Sequence, residues 1–408
     1  MGDNLSEYTD ILGTLTHYNG IVFEDFLAEQ ADCEGALTVG GNAKLGSQGH
    51  AYDIGVAGIS GTESIVIGKY ENPRQYPSFL LGGEVLAGST TANVYEGGVA
   101  LRAGYRQVYE SGSFRFAADK LSYVEDELVK DFFSSAEKQI KHTGNVLMNG
   151  TEEKIELDDL KKLPTLEQSK YLSKNIKTDK KILIYTLNCT SDEEINISEI
   201  DFGSYILEYD AIIINLPAKK VTFSGGAILY DGVIVNTSLP RIYSGNELIE
   251  LLGTKIIFNF PNAQEVRLVN YGFLGSLFVP NGTVTGVGGS VNGMLAAKSL
   301  NQTAGMELHA FTAALGDALW ELENKPKTGD AEIIKQDSET LLGLGNAHFA
   351  LYIYGEESEI GKGVTDENGR LTFRNLEESH YRLVETIPPP GYTLPEKNEW
   401  IFKLTIDN

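Results

Sequence analysis

The chain has 408 residues, 33 basic and 57 acidic, for a formal net charge of −24. Its 42% of hydrophobic residues suffice for sizeable cores, in two to four domains at the usual ~100–200 residues each. So acidic a chain excludes nucleic acid as the main partner, because phosphate binding needs a basic footprint, and no run reaches the ~18–20 apolar residues of a membrane span.

Glycine is abundant, 44 residues in all, and unevenly placed. Residues 1–119 hold 19 of them, residues 120–200 only two, residues 201–330 hold 16 and residues 331–408 seven. In the first block, short apolar runs end in glycine: ALTVGG at 36–41, SIVIG at 64–68, FLLGG at 79–83 and VALRAG at 99–104. Aliphatic runs of four or five bounded by glycine predict short strands, and glycine reaches the backbone angles of tight corners. The pattern predicts a stacked coil of short rungs.

Residues 118–142 place Leu121, Val124, Leu128, Phe132 and Phe133 at helical spacing, with Glu and Lys between them. This predicts one long amphipathic helix along the β body, with Gly144 as its stop. Longer strands follow, at 181–187 and, within the second glycine-rich block, at 211–216, 221–223, 227–230, 255–260 and 275–279. Several are almost wholly apolar, as strands buried on both faces are. Residues 323–330 (ENKPKTGD) predict a linker, separating a large domain at 1–322 from a small one at 331–408. The latter alternates strands with turns such as DENG at 366–369, which predicts an antiparallel sandwich.

Chemistry is sparse. The six histidines form no metal-binding spacing, so neither a metal nor a cofactor is expected. Glu307 and His309 lie two apart, and a structural turn is the favoured reading. Cys33 and Cys189 form no disulfide framework; two separate thiols or one pair both stay open. In the small domain Lys335 lies mid-strand, where it points either to solvent or inward. Glu385 shares a strand face with Tyr381 and Leu383, since alternate residues face one way, and so points at the core. A buried lysine loses its proton more readily and a buried carboxyl holds its proton longer. Beside an Asn or Asp side chain, such a pair can form a Lys–Asn/Asp isopeptide bond without a cofactor.

The segments 334–337, 344–352, 365–369, 373–376 and 381–392 resemble the SpaA-type or Cna B-type prealbumin-like domain of Gram-positive pilins and adhesins. That resemblance implies Lys335 as the isopeptide amine and Glu385 as the catalytic carboxyl. It places the acceptor on a last strand beyond 401–406, which the sequence is expected to lack, and leaves Asp407 and Asn408 as weak acceptor candidates. The segments 18–26, 34–43, 258–263, 275–281, 291–300 and 307–309 resemble the choice-of-anchor A domain of bacterial surface proteins, across about 15–312. This implies a β-solenoid-like, ice-binding-type adhesive body with one packed helix and no catalytic residues.

Together these expectations describe a mainly β, non-enzymatic adhesin or pilus-tip or wall-anchored subunit on the bacterial cell surface. Its leader and sorting signal would lie outside this sequence. The large domain is expected to bind a host matrix protein (collagen-like) or a glycan, other pilus subunits being further partners, and the small domain to be a stalk module. A carbohydrate-active β-helix enzyme and a purely structural spacer are the alternatives.

Overall fold

The structure is a computed structural model, and it describes residues 11–61, 64–163, 170–243, 245–324, 328–355, 358–377 and 379–405. The chain divides into two compact units, Met1–Asn324 and Lys325–Asn408.

The large unit is a curled, parallel β-sheet whose pairings fall into three ladders. In the first, the strands stand in the order Leu121–Val124, Val99–Arg102, Phe79–Leu81, Ala36–Val39, Tyr18–Val22, the start of Leu295–Thr303, the start of Ser276–Asn292, Ile256–Asn259, Ala211–Asn215, Ile182–Leu187 and Lys154–Ile155. The second runs Ala43–Leu45, Phe26–Ala28, the end of Leu295–Thr303, the middle of Ser276–Asn292, the first half of Glu265–Leu274, Lys220–Ser224 and Glu194–Ile197. The third runs Arg115–Ala117, Thr91–Val94, Tyr52–Ile54, Asp32–Cys33, Glu307–His309 and the ends of Ser276–Asn292 and Glu265–Leu274. Every one of these pairings is parallel, and the chain visits the ladders in turn. Strand Tyr18–Val22 therefore lies between Ala36–Val39 and Leu295–Thr303, so the N-terminal strands extend a stack begun by residues 154–309.

The nearly all-apolar strands of the first ladder are buried on both faces. In Ala211–Asn215, Ile212 and Ile214 join the interior cluster with Phe258 and Leu277. Ala211 and Ile213 join a second cluster with Phe132, Phe133, Ala136 and Ile140 of the long helix. That helix spans Asp126–Met148 rather than the expected 118–142. Leu121 and Val124 fit the helical period, yet Leu121–Val124 pairs in register with Val99–Arg102. Asp126 then fixes the helix start, accepting the Gly104 N–H at 2.7 Å and pairing with Arg102 at 3.0 Å. Gly144 is no stop: it lies inside the helix, where a Cβ would come within 2.8 Å of Asn259 Oδ1.

Within the expected linker at 323–330, both described flanks are paired strands, and residues 325–327 lie outside the described residues. Glu323–Asn324 pairs with Ile176–Lys177, and strand Thr328–Ile334 pairs with Arg370–Glu377. Proline and glycine mark breaks in a sequence, but backbone pairing claims both flanks here. The small unit holds that two-stranded pair and a four-stranded antiparallel sheet of Glu359–Val364, His348–Ile353, Ser379–Ile387 and Glu399–Leu404. Its core is Ala347, Phe349, Leu351, Phe373, Tyr381 and Leu383. Cys33 and Cys189 are both free thiols, the first buried.

Candidate functional site

In the small unit, strand Ser379–Ile387 alternates in burial, with Tyr381, Leu383 and Glu385 turned inward. Glu385 lies opposite Phe349 and is 0% exposed. Its backbone is held at both ends: its N–H donates to Asn398 O at 2.8 Å, and Asn398 Nδ2 donates to its carbonyl at 3.1 Å. Lys335 directly follows strand Thr328–Ile334. Its N–H donates to Gly369 O at 2.8 Å, and its carbonyl accepts the Leu344 N–H at 2.9 Å. These frames bring Lys335 Nζ to 2.9 Å from Glu385 Oε2, with the lysine side chain 22% exposed. Of its two readings, Lys335 takes the inward one. Glu385 Oε1 is buried and has no hydrogen-bond partner among the described residues. The pair thus presents an amine, a carboxyl and one unoccupied acceptor atom, a set suited to holding an amide N–H or hydroxyl beside the amine. Asp407 and Asn408 lie outside the described residues.

In the large unit the third ladder assembles polar groups far apart in sequence. Gly272 pairs with Ser290, and Ser290 with Glu307. Leu308 pairs with Cys33, which sets Glu307 beside Asp32; Asp32 pairs with Asp53, and Asp53 with Asn93. Three carboxylates thus stand on adjacent strands, roughly 4.8 Å apart. Asn93 Nδ2 donates to Asp53 Oδ1 at 2.6 Å. The Asp32 carboxyl is pushed up to about 7, first by burial and then by the negative Glu307 and Glu34. Its Oδ1 is buried without a partner among the described residues.

His309, 2% exposed, closes this row. Its Nδ1 lies 2.7 Å from Asn292 Oδ1, and its Nε2 lies 3.2 Å from Glu307 Oε2. Asn292 Nδ2 donates to Phe273 O and Ser290 Oγ, so Asn292 Oδ1 acts as acceptor and His309 Nδ1 must donate. Glu34, also buried, accepts the backbone N–H groups of Ile67 at 2.6 Å, Gly68 at 2.7 Å and Ala310 at 3.1 Å. Its carboxylate anchors the segment 67–68 against the ladder. The sequence carried Glu307 and His309 as neighbours, but their partners Asp32 and Asn292 come from ladder register, which sequence spacing does not report.

The class is that of an adhesive domain followed in the chain by a prealbumin-like one. Residues 11–310 match the family described as "Putative Ice-binding-like adhesive domain", and the chain belongs to that family. Residues 329–408 match the SpaA prealbumin-like fold domain. No curated protein matches the chain. Among solved structures, the group B streptococcus pilus 2b backbone protein is similar at 26% identity, covering 20% of this chain and 35% of its own, with a TM-score of 0.18. A streptococcal ancillary pilin is similar at 18% identity over 26% of this chain and 32% of its own, with a TM-score of 0.18. The 35 kDa C-terminal fragment of the major pilin of Streptococcus agalactiae is similar at 25% identity over 20% and 38%, with a TM-score of 0.16. The match spans about a third of the length of these pilins.

Proposed function

We propose that the chain is an adhesin of the bacterial surface, or the adhesive subunit of a pilus, that engages a host matrix protein or a glycan through its large unit. The small unit serves as the stalk module. The observation that carries this reading is the succession in one chain of an adhesive-family body at 11–310 and a prealbumin-like module at 329–408. The three-ladder order supports describing the body as a β-solenoid, and the segments quoted above support its kinship with choice-of-anchor A domains. The test is retention of the purified chain on collagen, fibronectin and immobilised glycans; no retention on any of them sinks the reading.

The Lys335–Glu385 geometry supports an intramolecular isopeptide bond in the mature protein. Neutral Lys335 Nζ attacks the side-chain carbonyl carbon of an Asn, a C–N bond forms, and ammonia leaves carrying the transferred proton; with an Asp acceptor, water leaves. Glu385 polarises that carbonyl and relays the proton. A carbohydrate-active enzyme is the second reading, favoured by one observation: the in-register carboxylates Glu307, Asp32 and Asp53. Release of reducing ends from a polysaccharide panel would support it over the adhesin.

A further inference from the structure

Beside the carboxylate row, the large unit has an open cavity of about 370 Å³, at the small end of ligand-site volumes. Its polar lining is Thr237, Ser238, Asn270, Ser290, Glu307 and His309, and Ile67 is its one large apolar wall. Several features shape it. Gly272 has no Cβ, and one there would collide with Thr237 Oγ1, so the bare glycine lets Thr237 seat against the ladder. Asn270 sits at φ 48°, the left-handed region that Asn tolerates best after glycine, at a corner between the second and third ladders. Ile67 is held in place by the Glu34 carboxylate at 2.6 Å. Glu307 Oε2 is oriented by His309, itself fixed by Asn292.

We infer that this cavity is a binding site for one neutral sugar ring, a reading that rests on the adhesin function proposed above and specifies its ligand as a glycan. The lining offers a carboxylate that accepts, an amide that donates and accepts, and three hydroxyls that do both. Vicinal sugar hydroxyls, each donor and acceptor, satisfy such a set, and a ring's C–H face can lie on Ile67. The cavity volume is large enough for a sugar ring. Acidic sugars are disfavoured, because Glu307 stands at the end of a row that continues into Asp32 and Asp53.

Saturation-transfer NMR on the full chain tests this with galactose, mannose, fucose and N-acetylglucosamine as probes and N-acetylneuraminic acid as the acidic arm. At least one neutral sugar is expected to bind with a Kd of about 1 mM, and to bind about tenfold or more weakly in Glu307→Gln and in Asn270→Gly. The glycine keeps the left-handed backbone; unchanged thermal melting confirms that both variants fold. Lys44→Ala, on the second ladder, should bind as the wild type does. The inference is overturned if no neutral sugar binds, if both folded variants bind as tightly as the wild type, or if the acidic sugar is preferred. Retention on matrix proteins without sugar binding overturns the site and leaves the adhesin reading standing. Sugar binding without retention on any surface keeps the site and overturns that reading.

Discussion

Asp32 and His17 titrate in opposite senses, and both effects follow from burial. The Asp32 carboxyl is raised to about 7, above its unfolded value near 4. Between those values the native state holds a proton that the unfolded chain has released, so this group's stabilisation is present at low pH and fades as pH rises toward 7. His17 is lowered to about 4 by burial, against an unfolded value near 6.5. Its contribution is lost as pH falls through that window. The two slopes oppose each other between about pH 4 and 6.5, so thermal melting of the wild type should vary little there on their account. Asp32→Asn removes one slope: its melting temperature should climb with pH across this range and exceed the wild type's at pH 7.5. A variant that tracks the wild type at every pH would contradict this assignment. The inward face of Glu385 was legible in the sequence from strand alternation. The environment of Asp32 was not, because Glu307 lies 275 positions away and only register joins them.

A buried polar row ties the long helix to the first ladder. Thr186, Asn215 and Asn259 are register neighbours. Asn215 Nδ2 donates to Leu147 O at 2.9 Å and to Thr186 Oγ1 at 3.0 Å. Asn259 Nδ2 donates to Gly144 O and to Asn215 Oδ1, both at 2.8 Å. These amides serve carbonyls in the last turns of the helix, including one that helix geometry leaves without an intrahelical donor. Asn215→Ala strands buried groups on both sides and should cost about 1–3 kcal/mol in chemical unfolding. Gly144→Ala should also destabilise, although alanine favours helices, because its methyl meets Asn259. A stabilised Gly144→Ala chain would contradict the packing. The amphipathic spacing in 118–142 predicted the helix itself. Its start shifted because strand pairing captured Leu121–Val124, and its end shifted because Gly144 is there for close approach.

At the scale of the molecule, the glycine distribution already separated a large, mainly β body from a small sandwich. What it left out is the order of stacking. Strands Tyr18–Val22 and Phe26–Ala28 bridge Leu295–Thr303 to Ala36–Val39 and Ala43–Leu45, so the N-terminal strands are central. Removing residues 11–45 opens the first and third ladders mid-stack and exposes the strands that faced the gap, including Leu295, Ala296 and Leu80, all buried. Such a chain should fail to fold cooperatively, whereas trimming a peripheral strand would cost far less; circular dichroism melting distinguishes the two. The unit boundary near 324 and the adhesive and prealbumin-like matches fall on the same division. The most direct test of the adhesin reading is saturable binding of the purified full chain to collagen, fibronectin and a glycan array. The account predicts saturation on at least one surface, unchanged by Lys335→Ala; absence of saturable binding on all three would contradict it.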